Sequence, residues 1–190
     1  MHRNIKILLT CSILIHGGIN LLAPIYAIFI KNIGGTIFDA GATIGFYAII
    51  RGILYFVLAP LKESKFSRKT MISAGYFMFF VSYVLYNFVS QTIHIFGIQA
   101  LLALGEVVIN PSWSAVIANA LDKGKERKIY SDFYGYRSVF EGLAAIAGGF
   151  LAFRLGFNVL FILMAGFALT AGIFALFIVE EKKLEGRKRQ

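Results

Sequence analysis

Four ionisable side chains lie inside long apolar stretches of this sequence: Arg51, Glu106, Arg137 and Glu141. A charged group facing hydrocarbon is costly, so such residues are expected to pair, to face water or to line a functional path. Arg137 and Glu141 are four residues apart and share a helix face, which allows a pair within one helix. The repeat described below places Arg51 and Glu141 at matched depth, which predicts a pair between helices.

Glu106 is the strongest candidate for binding a polar molecule, because no basic residue lies near it on its own helix. Asn110 follows it by four residues and Trp113 by seven, which gives a polar and aromatic stripe beside Pro111. A proline removes one backbone hydrogen bond and can bend a helix at that point. We predict that Glu106, Asn110 and Trp113 contact a substrate or a coupling ion.

Two other stripes have the same spacing of four residues. His16 and Asn20 give the first apolar stretch a polar face, and Tyr47 shares a face with Arg51 in the second. The functional interpretation places His16 and Asn20 at the binding site, with Tyr47 beside the gating or interface pairs of Arg51, Arg137 and Glu141. The alternative is that these groups only bond neighbouring helices and hold the bundle together.

The elements that must position these residues are membrane spans. Of the 190 residues, 58% are apolar and only 15% are charged, whereas soluble domains have roughly 25% charged residues. Apolar stretches long enough to cross a bilayer are predicted near 7–30, 40–61, 70–89, 93–120, 133–153 and 157–179. The chain is therefore predicted to be an all-α membrane protein, a single six-helix bundle over residues 1–190.

The distribution of basic residues predicts the orientation of the bundle. Most Lys and Arg residues fall before the first span, after the second, after the fourth and after the sixth, whereas Lys31 and Arg154 lie on the other side. By the positive-inside rule, both termini are cytoplasmic in a cell membrane. The net charge of +9 is then a topology signal and a means of attracting lipid headgroups, and nucleic-acid binding is disfavoured.

Several classes of chemistry lack their residues here. The single cysteine, Cys11, cannot form a disulfide within one chain or a cysteine-based metal site. No metal ligand set, nucleotide loop or catalytic triad is visible, so no cofactor is expected. An integral membrane enzyme is a remote third alternative, because no nucleophile and base lie at a common depth.

The two halves of the chain resemble each other weakly. Gly18 and Pro24 in the first span correspond to Gly105 and Pro111 in the fourth, and Arg51-Gly52 in the second corresponds to Glu141-Gly142 in the fifth. Three helices entering from each side give an inverted repeat of 3+3 helices, an arrangement found in transporters.

With these features the chain resembles one half of a major facilitator superfamily transporter. The resemblance is carried by Pro24, Tyr26 and Gly34-Gly35 near the end of the first helix, by Leu104-Gly105-Glu106 and Asn110-Pro111 in the fourth, and by Ala147 to Leu151 with Gly156-Phe157 at the fifth-to-sixth hairpin. It implies a secondary transporter that moves a small molecule by alternating access. It also implies that the first and fourth helices line the cavity.

The chain departs from the superfamily pattern at three places. After the second helix, a glycine, an aspartate and a Gly-Arg-Arg/Lys run are usual, and this chain has Pro60, Ser64 and Ser67-Arg68-Lys69 in their places. The fourth helix often has a basic residue where this chain has Leu101 and Leu104. In the fifth helix, antiporters have Gly-Pro where this chain has Ala144-Ala145. These changes weaken the expectation of proton antiport. A carboxylate in a low-dielectric site nevertheless suits a proton as coupling ion, through Glu106 or Glu141.

The superfamily normally has twelve helices in one chain, so a second bundle is expected. Small residues form a stripe on the second helix (Gly41, Gly45, Ala48, Gly52) and another on the fifth (Glu141, Ala144, Ala145, Gly148, Ala152), and such stripes favour close helix packing. We predict a parallel homodimer in which Arg51 approaches Glu141 of the partner. The alternative is a non-transporting membrane interaction protein, or a fragment that needs a separately encoded second half.

Overall fold

The structure, a computed structural model, describes residues 3–58, 67–120, 124 and 126–179. Within these residues the fold is all-helical, with six long helices joined by short connections, as predicted. In chain order they are α1 (Arg3–Asn32), α2 (Ile37–Leu58), α3 (Arg68–Tyr86), α4 (Thr92–Ala120), α5 (Glu126–Leu155) and α6 (Phe157–Ala175).

Five of these helices in the described part of the chain, all except α3, are long and apolar enough to cross a membrane. Helix α3 has 19 residues and begins with Arg68 and Lys69, which lower its mean hydropathy. It packs between α4 and α6, so its apolar face is covered by two neighbouring helices.

The helices do not end where hydropathy changes. Helix α5 begins at Glu126 rather than at Phe133, since its first polar turns are helical and an acidic side chain favours a helix N-terminus. Helix α6 ends at Ala175, before the predicted limit of Val179. The charged tail 180–190, residues 62–66 of the first charged connection and residues 122, 123 and 125 of the second lie outside the described residues.

The two prolines of the repeat have different effects on their helices. A 3₁₀ turn, Ala23–Ile25, interrupts α1 at Pro24. Helix α4 remains α-helical through Pro111. The matched proline positions therefore give a break in the first helix only.

The turns between helices follow from local side chains. Thr36 and Asp39 form a capping box at the start of α2: the backbone N–H and hydroxyl of Thr36 both donate to the Asp39 carboxylate at 2.7 Å. Gly34 and Gly156 have φ of +82°, a conformation that glycine adopts without strain, at the turns before α2 and α6.

The helix contacts define a layered bundle. Helix α1 packs against α5 and α6, and α4 packs against α2 and α3; α3 and α6 contact each other, and α1 and α4 meet only lightly. The core therefore lies along α1, α3, α4 and α6, with α2 and α5 on the flanks. Only 6% of the apolar window of α2 and of α5 is buried, compared with 39% to 44% for α1, α4 and α6.

The glycines show which helix faces are already occupied. On α2, an added Cβ at Gly41, Gly45 or Gly52 would meet nothing within 4 Å. On α5, an added Cβ at Gly148 would overlap the carbonyl group of Leu21 in α1. The close helix packing expected of this small-residue stripe is therefore found against α1 of the same chain. Ala144 and Ala152 of the stripe also pack against the core.

A different face of α5 is open. An added Cβ would meet nothing within 4 Å at Gly135, Gly142 or Gly149, which follow one another at intervals of seven residues and so share a helix face.

Candidate functional site

Glu106 of α4 is the centre of a polar cluster between α2 and α4. Arg51 donates from Nη1 to both carboxylate oxygens, at 2.9 and 3.1 Å. The Tyr47 hydroxyl donates to Oε2, and the Arg51 guanidinium lies 5.1 Å from the centre of the Tyr47 ring. The carboxylate that lacks a basic partner on its own helix thus finds one on the neighbouring helix.

The cluster continues along the same helix faces. Asn110 Nδ2 donates to Glu106 Oε1 at 3.2 Å and to the Tyr55 hydroxyl at 2.6 Å. The spacing of four residues in Tyr47, Arg51 and Tyr55 on α2 therefore matches the spacing of Glu106 and Asn110 on α4. The relative accessible surfaces of the Arg51 and Glu106 side chains are 36% and 24%, so the pair is accessible from outside the bundle.

A second polar cluster lies between α1 and α5. Arg137 Nε donates to Glu141 Oε1 at 2.7 Å, the pair that their spacing predicts. His16 Nδ1 of α1 lies 3.6 Å from the same carboxylate oxygen. The Arg137 guanidinium also lies 5.8 Å from the centre of the Tyr134 ring.

The structure separates two predicted residues from these clusters. Asn20 donates to the backbone carbonyl of His16 at 2.8 Å, within its own helix. Trp113 packs edge-to-face on Phe133 of α5, with ring centres 5.5 Å apart. Neither makes a described hydrogen bond to Glu106 or Glu141.

Within one chain, Arg51 pairs with Glu106 and not with Glu141. The prediction relied on matched depth in the repeat, but depth does not specify which helices are neighbours. The sequence does contain a signal for the Arg51–Glu106 pair. Tyr47 and Tyr55 flank Arg51 at spacing of four, and this spacing matches that of Glu106 and Asn110 on α4.

A buried polar network was not predicted from the sequence. The Tyr26 and Thr43 hydroxyls are 2.8 Å apart, and Gln99 Nε2 donates to the hydroxyls of Tyr26 at 3.3 Å and Tyr86 at 3.5 Å. This network joins α1, α2, α3 and α4. Its members are scattered in sequence, so no spacing could indicate it.

These arrangements suit the binding of a polar solute. Among the described residues, no group of three or more His, Cys, Asp and Glu side chains could hold a metal ion. The two clusters instead offer carboxylates, guanidinium groups, hydroxyls and an amide to a polar solute, on helices whose outer faces are largely uncovered.

Comparison with known proteins identifies the family. The family model described as Major Facilitator Superfamily matches residues 8–190. The chain belongs to the major facilitator superfamily. As a superfamily member it is a membrane protein of a transporter family, which points to a transporter rather than an enzyme.

Two relatives are themselves described as transporters. An uncharacterized MFS-type transporter of Bacillus subtilis is 27% identical over 133 residues, which cover 70% of this chain and 80% of the relative. An uncharacterized MFS-type transporter of Methanocaldococcus jannaschii is 24% identical over 164 residues, 86% of this chain. The alignment covers only 42% of the archaeal protein, so the chain matches less than half of that relative's length.

Proposed function

We propose that this major facilitator superfamily bundle works as a secondary transporter that moves a small molecule by alternating access. The observation that carries the proposal is the Glu106 cluster, because it places a carboxylate, a guanidinium and an amide together on helices of a transporter family. The solute binds at Glu106 and Asn110, with Tyr47 and Arg51 holding the carboxylate in place. His16, Asn20 and Trp113 belong to the same cavity in this proposal.

The packing supports the proposed inverted repeat. If α1, α2 and α3 are exchanged with α4, α5 and α6, the contact of α1 with α5 becomes the contact of α4 with α2, and that of α1 with α6 becomes that of α4 with α3. Every major contact thus has a counterpart. The Arg51–Glu106 pair between α2 and α4 likewise corresponds to the Glu141–His16 contact between α5 and α1.

A single bundle leaves the cavity without its second wall. We place a second copy of this chain there, parallel to the first, because the basic residues fix one orientation with both termini cytoplasmic. The flanking helices α2 and α5 are the contact surface, since they are largely unburied and present open glycines at Gly45 and Gly142.

The interface pair joins Arg51 to Glu141 of the partner subunit. Within its own chain Arg51 uses only Nη1 on Glu106, and an arginine has five N–H donors. Its remaining donors can therefore bind a second carboxylate without releasing the first. Arg51, Arg137 and Glu141 then form a gate that opens and closes as the two bundles rock.

The first experiment measures the mass of the purified protein in nanodiscs. We expect a mass equal to two chains plus the disc. A strict monomer that transports would contradict the homodimer. An assembly that forms only with a separately encoded six-helix chain would instead support the fragment alternative.

The second experiment tests proton coupling and the role of Glu106. Proteoliposomes are given a panel of cations, sugars and amphipathic drugs, and solute uptake and internal pH are followed together. We expect uptake that depends on a pH gradient and is lost in Glu106→Gln, while Glu126→Gln, which removes an exposed carboxylate at the start of α5, behaves as wild type. Uptake that ignores pH, with Glu106→Gln equal to wild type, would contradict the coupling.

A further inference from the structure

A groove of about 430 Å³ lies at the end of the bundle where α1 begins and α6 ends. It is lined by two cations and three apolar side chains: Arg3, Lys6, Ile7, Phe174 and Phe177. This groove is separate from both polar clusters. Arg3 and Lys6 are three residues apart on α1, so their side chains share a helix face.

The walls of the groove are held together by a reciprocal clamp. Asn4 Nδ2 donates to the Val179 carbonyl at 2.8 Å, and the Val179 N–H donates to Asn4 Oδ1 at 3.0 Å. This pair ties the first turn of α1 to the turns that follow α6. The Asn4 side chain thus holds the two walls of the groove, the start of α1 and the segment after α6, next to each other.

Within the described part of the chain, the side chains of Arg3 and Lys6 have no bonding partner. Arg3 and Lys6 are exposed, and neither side chain makes a hydrogen bond or ion pair with a described residue, including the carbonyl groups at the end of α6. Two basic side chains beside an apolar wall are the complement of an anionic headgroup attached to an acyl chain. Basic pockets between transmembrane helices bind such headgroups.

We propose that this groove binds one anionic phospholipid, with the phosphate on Arg3 and Lys6 and an acyl chain against Phe174 and Phe177. Phe174 and Phe177 have relative exposures of 40% and 57%, so an acyl chain in the groove would cover apolar surface that the protein leaves open. The ends of α1 and α6 would then be held together by the lipid as well as by the clamp.

The experiment follows thermal stability of the delipidated protein in detergent during titration with phosphatidylglycerol. The matched control also removes two positive charges, but at the other end of the helices, as Lys31→Gln with Arg154→Gln. We expect Arg3→Gln with Lys6→Gln to raise the half-saturating lipid concentration roughly tenfold or more, because each basic residue near anionic lipid contributes on the order of 1 kcal/mol. The control should stay within about twofold of wild type, so equal shifts in both variants would overturn the site.

Four further arms identify the ligand. Inorganic phosphate at matched ionic strength should not raise the melting temperature; if it saturates the effect, the site binds a small anion and the lipid proposal is wrong. Phosphatidylcholine should stabilise less than phosphatidylglycerol, and equal stabilisation would overturn the role of the charges. Phe174→Ala with Phe177→Ala should weaken the phosphatidylglycerol response, and an unchanged response would overturn the acyl-chain contact. Arg3→Lys with Lys6→Arg keeps both charges and should retain the wild-type response.

Discussion

Glu106 and Arg51 are coupled across two helices, which makes the pair measurable. Removal of either partner leaves the other charge uncompensated at membrane depth, and removal of the second charge as well relieves part of that cost. We expect Glu106→Leu and Arg51→Leu each to lower the free energy of unfolding by about 1 to 3 kcal/mol, and the double variant to lose less than the sum by about 1 to 2 kcal/mol. The measurement is unfolding in mixed detergent micelles with increasing sodium dodecyl sulfate.

The control for this cycle pairs Arg51→Leu with Glu126→Leu, which lies at the start of α5 and makes no described bond to Arg51. Those two changes should add, because residues without shared partners are independent. Additive costs for Glu106 and Arg51 as well would show that the pair contributes nothing, as many exposed ion pairs do.

The sequence indicates which residues form the polar clusters better than it predicts their partners. The position of a charge within an apolar stretch singles out Arg51, Glu106, Arg137 and Glu141, and spacing of four identifies the Arg137–Glu141 pair. The partner of Arg51 depends on which helices are neighbours, and that is decided by packing over the whole bundle. Periodicity within one helix carries no information on that choice.

Helix type and number are predicted from hydropathy, because a bilayer requires long apolar segments with internally bonded backbones. Helix ends are not, since polar turns such as those from Glu126 onward extend α5 beyond its apolar part. The break at Pro24 and the continuous helix at Pro111 show a related limit. A proline frees one hydrogen bond, and the surrounding packing decides whether the helix breaks there.

Two adjacent glycines of α5 provide an internal comparison at the scale of the helix pair. An added Cβ at Gly148 would overlap the Leu21 carbonyl group of α1, whereas one at Gly149 would meet nothing within 4 Å. We expect Gly148→Ala to lower the free energy of unfolding by about 1 to 3 kcal/mol, the usual cost of overpacking. Gly149→Ala should be neutral or stabilise by up to about 1 kcal/mol through helix propensity.

The measurement for both glycine variants is the same detergent unfolding titration. Equal stability of the two variants would mean that α1 and α5 are not in close contact at this position. A loss confined to Gly149→Ala would place the close contact on the opposite face of α5.

At the scale of the assembly, the open glycines give a sharper test of the homodimer than a charge swap does. Arg51→Glu would place a second carboxylate beside Glu106 in the same chain, so loss of the dimer would have two explanations. A Cβ added at Gly45 or Gly142 would meet nothing within 4 Å among the described residues, so a side chain there can be placed without disturbing the packing of the bundle. Cysteine crosslinking at these positions therefore separates the interface from the fold.

We expect Gly45→Cys and Gly142→Cys, expressed in separate chains and mixed in one membrane, to crosslink to each other with a short bifunctional thiol reagent. Native Cys11 is fully buried, and its thiol donates to the Ala171 carbonyl at 3.4 Å, so it is shielded from the reagent. The mixed dimer should form because, in the proposed homodimer, α2 of one subunit faces α5 of its partner, and a two-fold axis repeats that contact. Gly149→Cys, on the open face of α5, should replace Gly142→Cys with a shift in efficiency, whereas Gly148→Cys, packed against α1, should not crosslink. Crosslinks that form only between two Gly45→Cys chains would contradict the α2-to-α5 arrangement, since they require α2 of both subunits to meet at the axis.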